Sequence, residues 1–285
     1  MKGNKTGLVM EGGAMRGMFT SGVTDVLLEQ GIEFDGGVGT SASAAFGCNF
    51  VSKQPYRARR YVVRFCKDFR FCSIASWILT GDLYGAEFGY NTIPQKLVPF
   101  DYDAFERNPM EFYCTATDVL TGQTVYHRMK DGRGRDALWL RGSASMPIVS
   151  KPVEVDGRHI LDGGMTDAIP LRFLEKRGYE RNVVILTRAL RYRKAPMKLM
   201  PAVRMALRKY PAIIRTLETR HLMYNEQVRY VREREAEGAV FVIRPFAEVN
   251  IGAVCHDRGE LKRVYEMGRR AATEQLDALK NWMQG

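Results

Sequence analysis

Gly7-Leu-Val-Met-Glu-Gly-Gly-Ala-Met-Arg-Gly17 and, one helix later, Phe34-Asp-Gly-Gly-Val-Gly-Thr-Ser-Ala-Ser43 are the stretches that decide the fold. Gly7–Met10 is an apolar run of strand length, and Glu11–Gly17 is a glycine-rich loop. Phe19, Val23, Val26 and Leu27 recur at helical spacing, and Gly31 stands where a helix is expected to stop. Phe34–Val38 reads as a second short strand, Gly39–Ser43 as a sharp turn, and Ala44–Val51 as a helix. Two strands joined by a helix at this distance form a βαβ unit, which implies a parallel sheet.

Further along, residues 56–110 are basic and aromatic without a clear strand and read as a helical insertion or cap. Phe112–Thr117 and Gln123–His127 are strand candidates around a turn at Leu120–Gly122, and Ala137–Ser145 reads as a helix that stops before Pro147. Val153–Val155 and His159–Leu161 flank Asp156-Gly157, a hairpin signal. Pro170–Arg177 reads as a helix, Val183–Thr187 as a buried strand, and residues 188–235 as helical and basic. Val240–Ile243 is the last strand, and Leu261–Trp282 reads as one long helix. Alternating strands and helices predict a three-layer α/β/α architecture. The reading is a single domain over 1–285, with a core at 6–190, the insertion at 56–110, and a basic helical region, last strand and C-terminal helix at 191–285.

Composition bounds the function. An apolar content of 45% argues against wholesale disorder, and the length is enough to bury a core without staples. The five cysteines contain no CxxC pair and the N-terminus has no signal-peptide pattern, so a reducing, cytoplasmic setting is expected. No apolar run is long enough to span a bilayer. The net charge of +11 attracts anionic partners without choosing among them. In residues 188–220, Arg204, Arg208, Lys209 and other bases alternate with Val203, Leu207, Ile213 and Leu217. Such a segment suits either peripheral contact with an anionic membrane surface or a helical flank packed on the domain. No nucleic-acid motif accompanies the charge, so a nucleic-acid partner is disfavoured.

Three motifs carry chemistry. Gly39-Thr-Ser41-Ala-Ser43 places a serine on a tight strand-to-helix turn, where the hydroxyl is pushed out and the following helix aims N–H groups at developing negative charge. Glu11–Gly17 exposes backbone N–H groups at a helix start and makes an anion site. It matches neither the dinucleotide fingerprint nor a phosphate-binding P-loop, which counts against a nucleotide-binding protein. Asp162-Gly163-Gly164 puts a carboxylate beyond a strand end, on glycines that permit close approach to another loop. Each alone is compatible with an ordinary turn; together, and in this order, they form one pattern.

That pattern resembles the patatin-like phospholipase family, in its bacterial branch. Gly142-Ser-Ala-Ser-Met-Pro147, Cys114-Thr-Ala-Thr-Asp118, Asp162–Pro170, Val184–Arg188 and Tyr192-Arg-Lys194 extend the likeness. The resemblance implies a serine acyl-ester hydrolase, a lipase or phospholipase, with Ser41 as nucleophile and Asp162 as its direct base. It implies Gly12, Gly13 and Ala14 as oxyanion donors, with Arg16, Gly39, Gly163 and Gly164 in support. It implies a lipid or acyl-ester substrate and neither metal nor cofactor. Ser43 stands where the family has glycine, which suggests a crowded elbow or a narrowed acyl site. A lipid- or anion-binding module with little catalysis is the alternative. A Ser–His–Asp triad would need His127, His159, His221 or His256 to reach Ser41.

Overall fold

The computed structural model describes residues 5–284. Its strands are β1 (Lys5–Met10), β2 (Gly36–Thr40), β3 (Glu111–Asp118), β4 (Thr124–Arg128), β5 (Val153–Val155), β6 (Arg158–Asp162), β7 (Tyr179–Ile185) and β8 (Val240–Ile243). They form one eight-stranded sheet in the order β5-β6-β3-β2-β1-β7-β8, with β4 also paired to β3. The helices are α1 (Gly17–Glu29), α2 (Ala42–Val51), α3 (Arg57–Phe65), α4 (Ile74–Thr80), α5 (Tyr102–Arg107), α6 (Gly134–Ser143), α7 (Leu171–Glu175), α8 (Met200–Ala206), α9 (Pro211–Ala236), α10 (Arg258–Glu274) and α11 (Leu276–Gln284).

Successive side chains of a strand point to opposite faces, so each central strand feeds two cores. Leu8 and Met10 of β1 join one core with Phe19 and Val23 of α1, Phe46 and Phe50 of α2, and Leu261 and Val264 of α10. Val9 between them joins a second core with Leu171 and Leu174 of α7 and Tyr224, Val228 and Val231 of α9. This is the three-layer arrangement expected from the alternation of elements. The insertion at 56–110 contains helices α3, α4 and α5 and a π-helical stretch Phe88–Leu97 that includes Pro94. Asp156 and Gly157, at φ 52° and 69°, close the β5–β6 hairpin as their sequence suggested.

Three expectations need correction. The second strand begins at Gly36 instead of Phe34, because Phe34 turns into the core ahead of the pairing of Gly36 with Glu111. Residues 188–199 are irregular; the helical region starts at Met200. The long C-terminal helix is two helices that break at Gln275. Part of the apolar side of the 188–220 segment is packed: Val203, Leu207, Ile213 and Leu217 meet Val119, Leu161 and Met165, while Leu199 (71%) and Met205 (74%) stay exposed. Among the described residues no helix is long and apolar enough to cross a membrane.

Helices α1 and α10 cross with their backbones in near contact. A Cβ on Gly268 would lie 2.0 Å from the Phe19 carbonyl oxygen, and one on Gly22 would lie 2.1 Å from that of Tyr265. Only glycine fits both positions, so the C-terminal region is tied to the first βαβ unit by backbone proximity. Gly268→Ala is expected to lower stability by about 1–3 kcal/mol through overpacking. Gly89→Ala, with open space around its Cβ, should cost far less. Denaturant titration of the two variants checks this; equal stabilities would contradict the close crossing.

Candidate active site

Strand β2 runs Gly36–Thr40 and stops at a residue with unusual backbone angles: Ser41 sits at φ 57°, ψ −132°. That region suits glycine, and a side chain held there costs on the order of 1–3 kcal/mol unless its surroundings fix it. The turn is tight enough that a Cβ on Gly39 would lie 2.6 Å from the Ala44 Cα. The Ser41 N–H donates to the Ser143 hydroxyl at the end of α6 (3.0 Å), which holds the turn from outside. Thr40 adds a hydroxyl contact to the Asp167 carbonyl (3.1 Å) and another to Thr115 (3.1 Å).

Sheet register brings the carboxylate to this turn. Thr40 pairs with Thr115 of β3, and the next β3 residue, Ala116, pairs with Asp162 at the end of β6. Ser41 and Asp162 therefore leave the sheet side by side across β3. The Ser41 hydroxyl donates to Asp162 Oδ2 at 2.7 Å, and the Gly164 N–H donates to Oδ1 at 2.7 Å. Both residues are buried, Ser41 to 8% exposure and Asp162 to 6%. Burial pushes the Asp162 carboxyl above the ordinary aspartate range, while the Ser41 hydrogen bond, the Arg220 charge and the Gly164 N–H pull it back. A Cβ on Gly163 would lie 2.3 Å from the Thr115 carbonyl oxygen, so the Asp-Gly-Gly turn can sit this close to β3 only with glycine there.

The glycine loop comes against the same turn. A Cβ on Gly12 would lie 3.0 Å from Thr40 Cγ2 and 3.3 Å from Ser41 Cβ. The Gly12 N–H donates to the Ala168 carbonyl (3.2 Å), so of the three expected oxyanion donors this one is already engaged. Among the described residues the N–H groups of Gly13 and Ala14 meet no acceptor, and Ala14 lines the cavity beside Ser41. Ala14 itself has φ 46°. Arg16 does not line that cavity; its Nε reaches Thr187 Oγ1 (3.4 Å) and ties the loop to the end of β7.

The cavity, about 160 Å³, opens from Ser41 between α2 and the insertion. Its walls are mainly apolar, with Ala45, Phe46, Tyr61, Phe71, Ile93 and Leu140 among them, and Arg57 is its charged member. Ser43 takes no part. Its side chain is fully buried, meets Thr20 of α1 (3.3 Å) and does not line the cavity, so it does not narrow it.

None of the four histidines bonds to Ser41 or Asp162. His127 pairs with Asp136 (2.7 Å) and stacks on Trp139, His159 is exposed on β6, His256 meets the Cys66 carbonyl, and His221 lies on α9. Among the described residues no three His, Cys, Asp or Glu side chains gather as a metal-ligand set.

Several supporting residues carried no sequence signal of their role. Glu11 is buried, accepts from the Thr187 N–H (2.5 Å) and the Tyr224 hydroxyl (2.7 Å), and so anchors the glycine loop to α9. Asp167, whose carboxyl burial pushes up to about 6, is bound by Tyr126 (2.5 Å) and Gln227 (2.6 Å). Gln227 also accepts from the Ala168 and Ile169 N–H groups, 3.1 Å each, and Arg220 donates to the Gly164 carbonyl (2.8 Å). Polar residues spaced along one face of α9 thus hold both loops.

Comparison with known proteins identifies the family. A family model described as patatin-like phospholipase matches residues 8–174, and a domain of unknown function (DUF6363) matches residues 210–284. The uncharacterized protein YjjU of Escherichia coli (strain K12) is 30% identical over 185 residues, which are 63% of this chain and 51% of YjjU. Lysophospholipase NTE1 of Saccharomyces cerevisiae is 26% identical over 183 residues, 62% of this chain and 10% of that protein. The chain thus spans about half of the first relative and a tenth of the second. The crystal structure of VipD from Legionella pneumophila aligns with TM-score 0.48 and 11% identity, over 96% of this chain and 67% of that one. With the family model matched over 8–174 of 285 residues, and the serine turn, glycine loop and Asp-Gly-Gly turn meeting at one point, the chain belongs to the patatin-like phospholipase family.

Proposed function

We propose that this protein is a serine lipid acyl hydrolase that works through a Ser41–Asp162 dyad. The observation that carries the reading is the 2.7 Å hydrogen bond from the Ser41 hydroxyl to a buried carboxylate oxygen. In the step this supports, Asp162 takes the hydroxyl proton as Ser41 Oγ attacks an ester carbonyl. The oxyanion forms against the Gly13 and Ala14 N–H groups, which meet no acceptor among the described residues. The departing alcohol takes the proton back from Asp162, and water then repeats the sequence on the acyl-enzyme. The acyl chain lies in the apolar cavity beside Ser41. The patatin-like match and the lysophospholipase relatives support a lipid ester as substrate. Gly39, Gly163 and Gly164 permit the close approach, and Gly12 and Arg16 fix the loop. Residues 188–284 complete the catalytic unit by bracing both loops from α9.

The reading extends to a surface. Helix α4 exposes Ile74 (69%), Ile78 (75%) and Leu79 (75%), with Phe69 (58%) beside them. Phe69 and Leu79 line a groove that shares Gly85, Tyr90 and Ala137 with the catalytic cavity. Arg64, Lys67 and Arg70 flank the patch in sequence, with Asp68 the acid among them. An apolar patch beside the proposed acyl cavity, with Arg64 and Lys67 close by in sequence and Arg70 paired with Asp68, fits the surface of an anionic phospholipid bilayer. Ile78→Asp with Leu79→Asp should therefore reduce sedimentation with phosphatidylglycerol-containing vesicles by about tenfold or more. Unchanged sedimentation would remove α4 from the interface.

Ser41→Ala is expected to lose ester hydrolysis by roughly 10⁴-fold or more, as nucleophile deletions do. Asp162→Asn should lose most activity while remaining folded. Gln in place of each histidine should leave substantial turnover. A folded histidine variant as inactive as Ser41→Ala would replace the dyad with a triad.

The pH profile gives an independent check. Asp162 must be ionised to accept the proton, and burial holds its carboxyl above the ordinary value of 3.8. Activity should fall as pH drops through that raised pKa. The Arg220 charge lowers it, so Arg220→Gln should move the acid limb of kcat/KM to higher pH. A limb that stays in place, or moves down, would contradict the assignment.

A further inference from the structure

Three cations converge beside the site from separate parts of the chain. Arg16 follows the oxyanion loop by two residues, and Arg220 of α9 rests its Nε on the Gly164 carbonyl (2.8 Å), next to the dyad carboxylate. Lys194 lies in the irregular segment before α8, pinned there by two hydrogen bonds between its own backbone and the Asn225 side chain (2.8 and 2.9 Å). Its ammonium stands over the Tyr224 ring, 5.3 Å from the centroid, and Tyr224 in turn holds Glu11 of the glycine loop (2.7 Å). None of the three makes a salt bridge to a described carboxylate. Among the described residues, the Nη atoms of Arg16 and Arg220 and the Lys194 Nζ meet no hydrogen-bond acceptor. All three side chains are partly buried, and none lines the apolar cavity.

The Glu11 and Asp162 carboxylates lie within electrostatic range but form no salt bridge with these three cations, whose half-buried like charges repel one another, so an anion placed among them is favourable. Guanidinium and ammonium groups together suit the oxygens of a phosphate. We propose that Arg16, Lys194 and Arg220 form a phosphate-binding site beside Ser41, separate from the acyl cavity, that recognises the phosphate ester of a substrate's head group. The head-group part rests on the hydrolase reading above; phosphate binding itself does not.

The electrostatics agree. Burial, and then Arg220, Arg16 and Arg188, push the Lys194 ammonium down to about 8, with Glu11 acting in the opposite sense. The groups that face it are Arg16 and Glu11 from the loop after β1, Arg188 from the segment after β7, and Arg220 and Tyr224 from α9. Arg188 is itself paired with Glu248 (3.1 Å). Lys194 loses its charge as pH rises through about 8, so phosphate should bind more weakly above that pH than below it.

The test uses Ser41→Ala protein, so that phosphate binding is read without catalysis. Titration calorimetry with inorganic phosphate should show binding that weakens about tenfold in Lys194→Gln, the loss of one charge-assisted contact, and recovers in Lys194→Arg. Near-ultraviolet circular dichroism confirms that the variants are folded. With active protein, Lys194→Gln should reduce kcat/KM for a lysophospholipid about tenfold more than for a monoacylglycerol of the same chain. Both losses together support a lipid head group as the source of the phosphate. Weakened phosphate binding with unaltered preference supports the same site serving a free phosphate ester. Phosphate binding that ignores Lys194→Gln, or is absent from the parent protein, overturns the proposal.

Discussion

The structure depends on one hydrogen bond, from the Ser41 hydroxyl to Asp162 Oδ2 at 2.7 Å. Forming it requires a serine in backbone geometry that suits glycine and a carboxylate taken out of water. Each is unfavourable alone. What offsets them is distributed. Strand β3 pairs with both β2 and β6, so the two turns emerge as neighbours. Ser143 takes the Ser41 N–H, Gly164 donates to the second carboxylate oxygen, and Asp167, Gln227 and Arg220 brace the turn after Asp162. The strain is local, and its support extends from α6 to α9.

This arrangement divides space around the serine. On one side, α2 and the insertion enclose an apolar cavity, and the groove next to it opens toward the exposed apolar residues of α4. Near the glycine loop and the Asp-Gly-Gly turn, Arg16, Lys194 of the segment before α8 and Arg220 of α9 make no salt bridge to a described carboxylate. Under the proposed reading, an ester with a long apolar acyl part and an anionic alcohol part would have a place for each half. The region beyond residue 188 packs Leu217, Tyr224 and Val228 into the cores, and in the proposed phosphate site it supplies Lys194 and Arg220.

Much of the core was legible because its signals are local. Gly39 and Ser41 mark a turn whose crowding admits only small residues, and the Asp-Gly-Gly turn announces a close approach in the same way. Most of the unread parts depend on tertiary contact. Pro196 argues against a continuous helix through residues 188–199, a local signal outweighed in the reading by the basic and apolar composition, and Lys194 is further held to Asn225 of α9 by a contact the sequence does not show. The break at Gln275 has no glycine or proline to announce it. Ser43 looked like a departure that would alter the acyl site, yet which way its side chain points is set by α1, where Thr20 receives it. Glu11 and Ser143 sat inside quoted motifs without a role, since their partners are Thr187, Tyr224 and Ser41, far away in sequence.

The central claim is that Asp162 activates Ser41 directly. Its most direct measurement is the rate at which a fluorophosphonate labels Ser41 across pH, in the wild-type protein and in Asp162→Asn. The dyad predicts labelling confined to Ser41, a rate that rises with the ionisation of one carboxyl above the ordinary aspartate range, and loss of that pH step together with most of the rate in Asp162→Asn. Labelling of folded Asp162→Asn at the wild-type rate, with its pH dependence intact, would contradict the account.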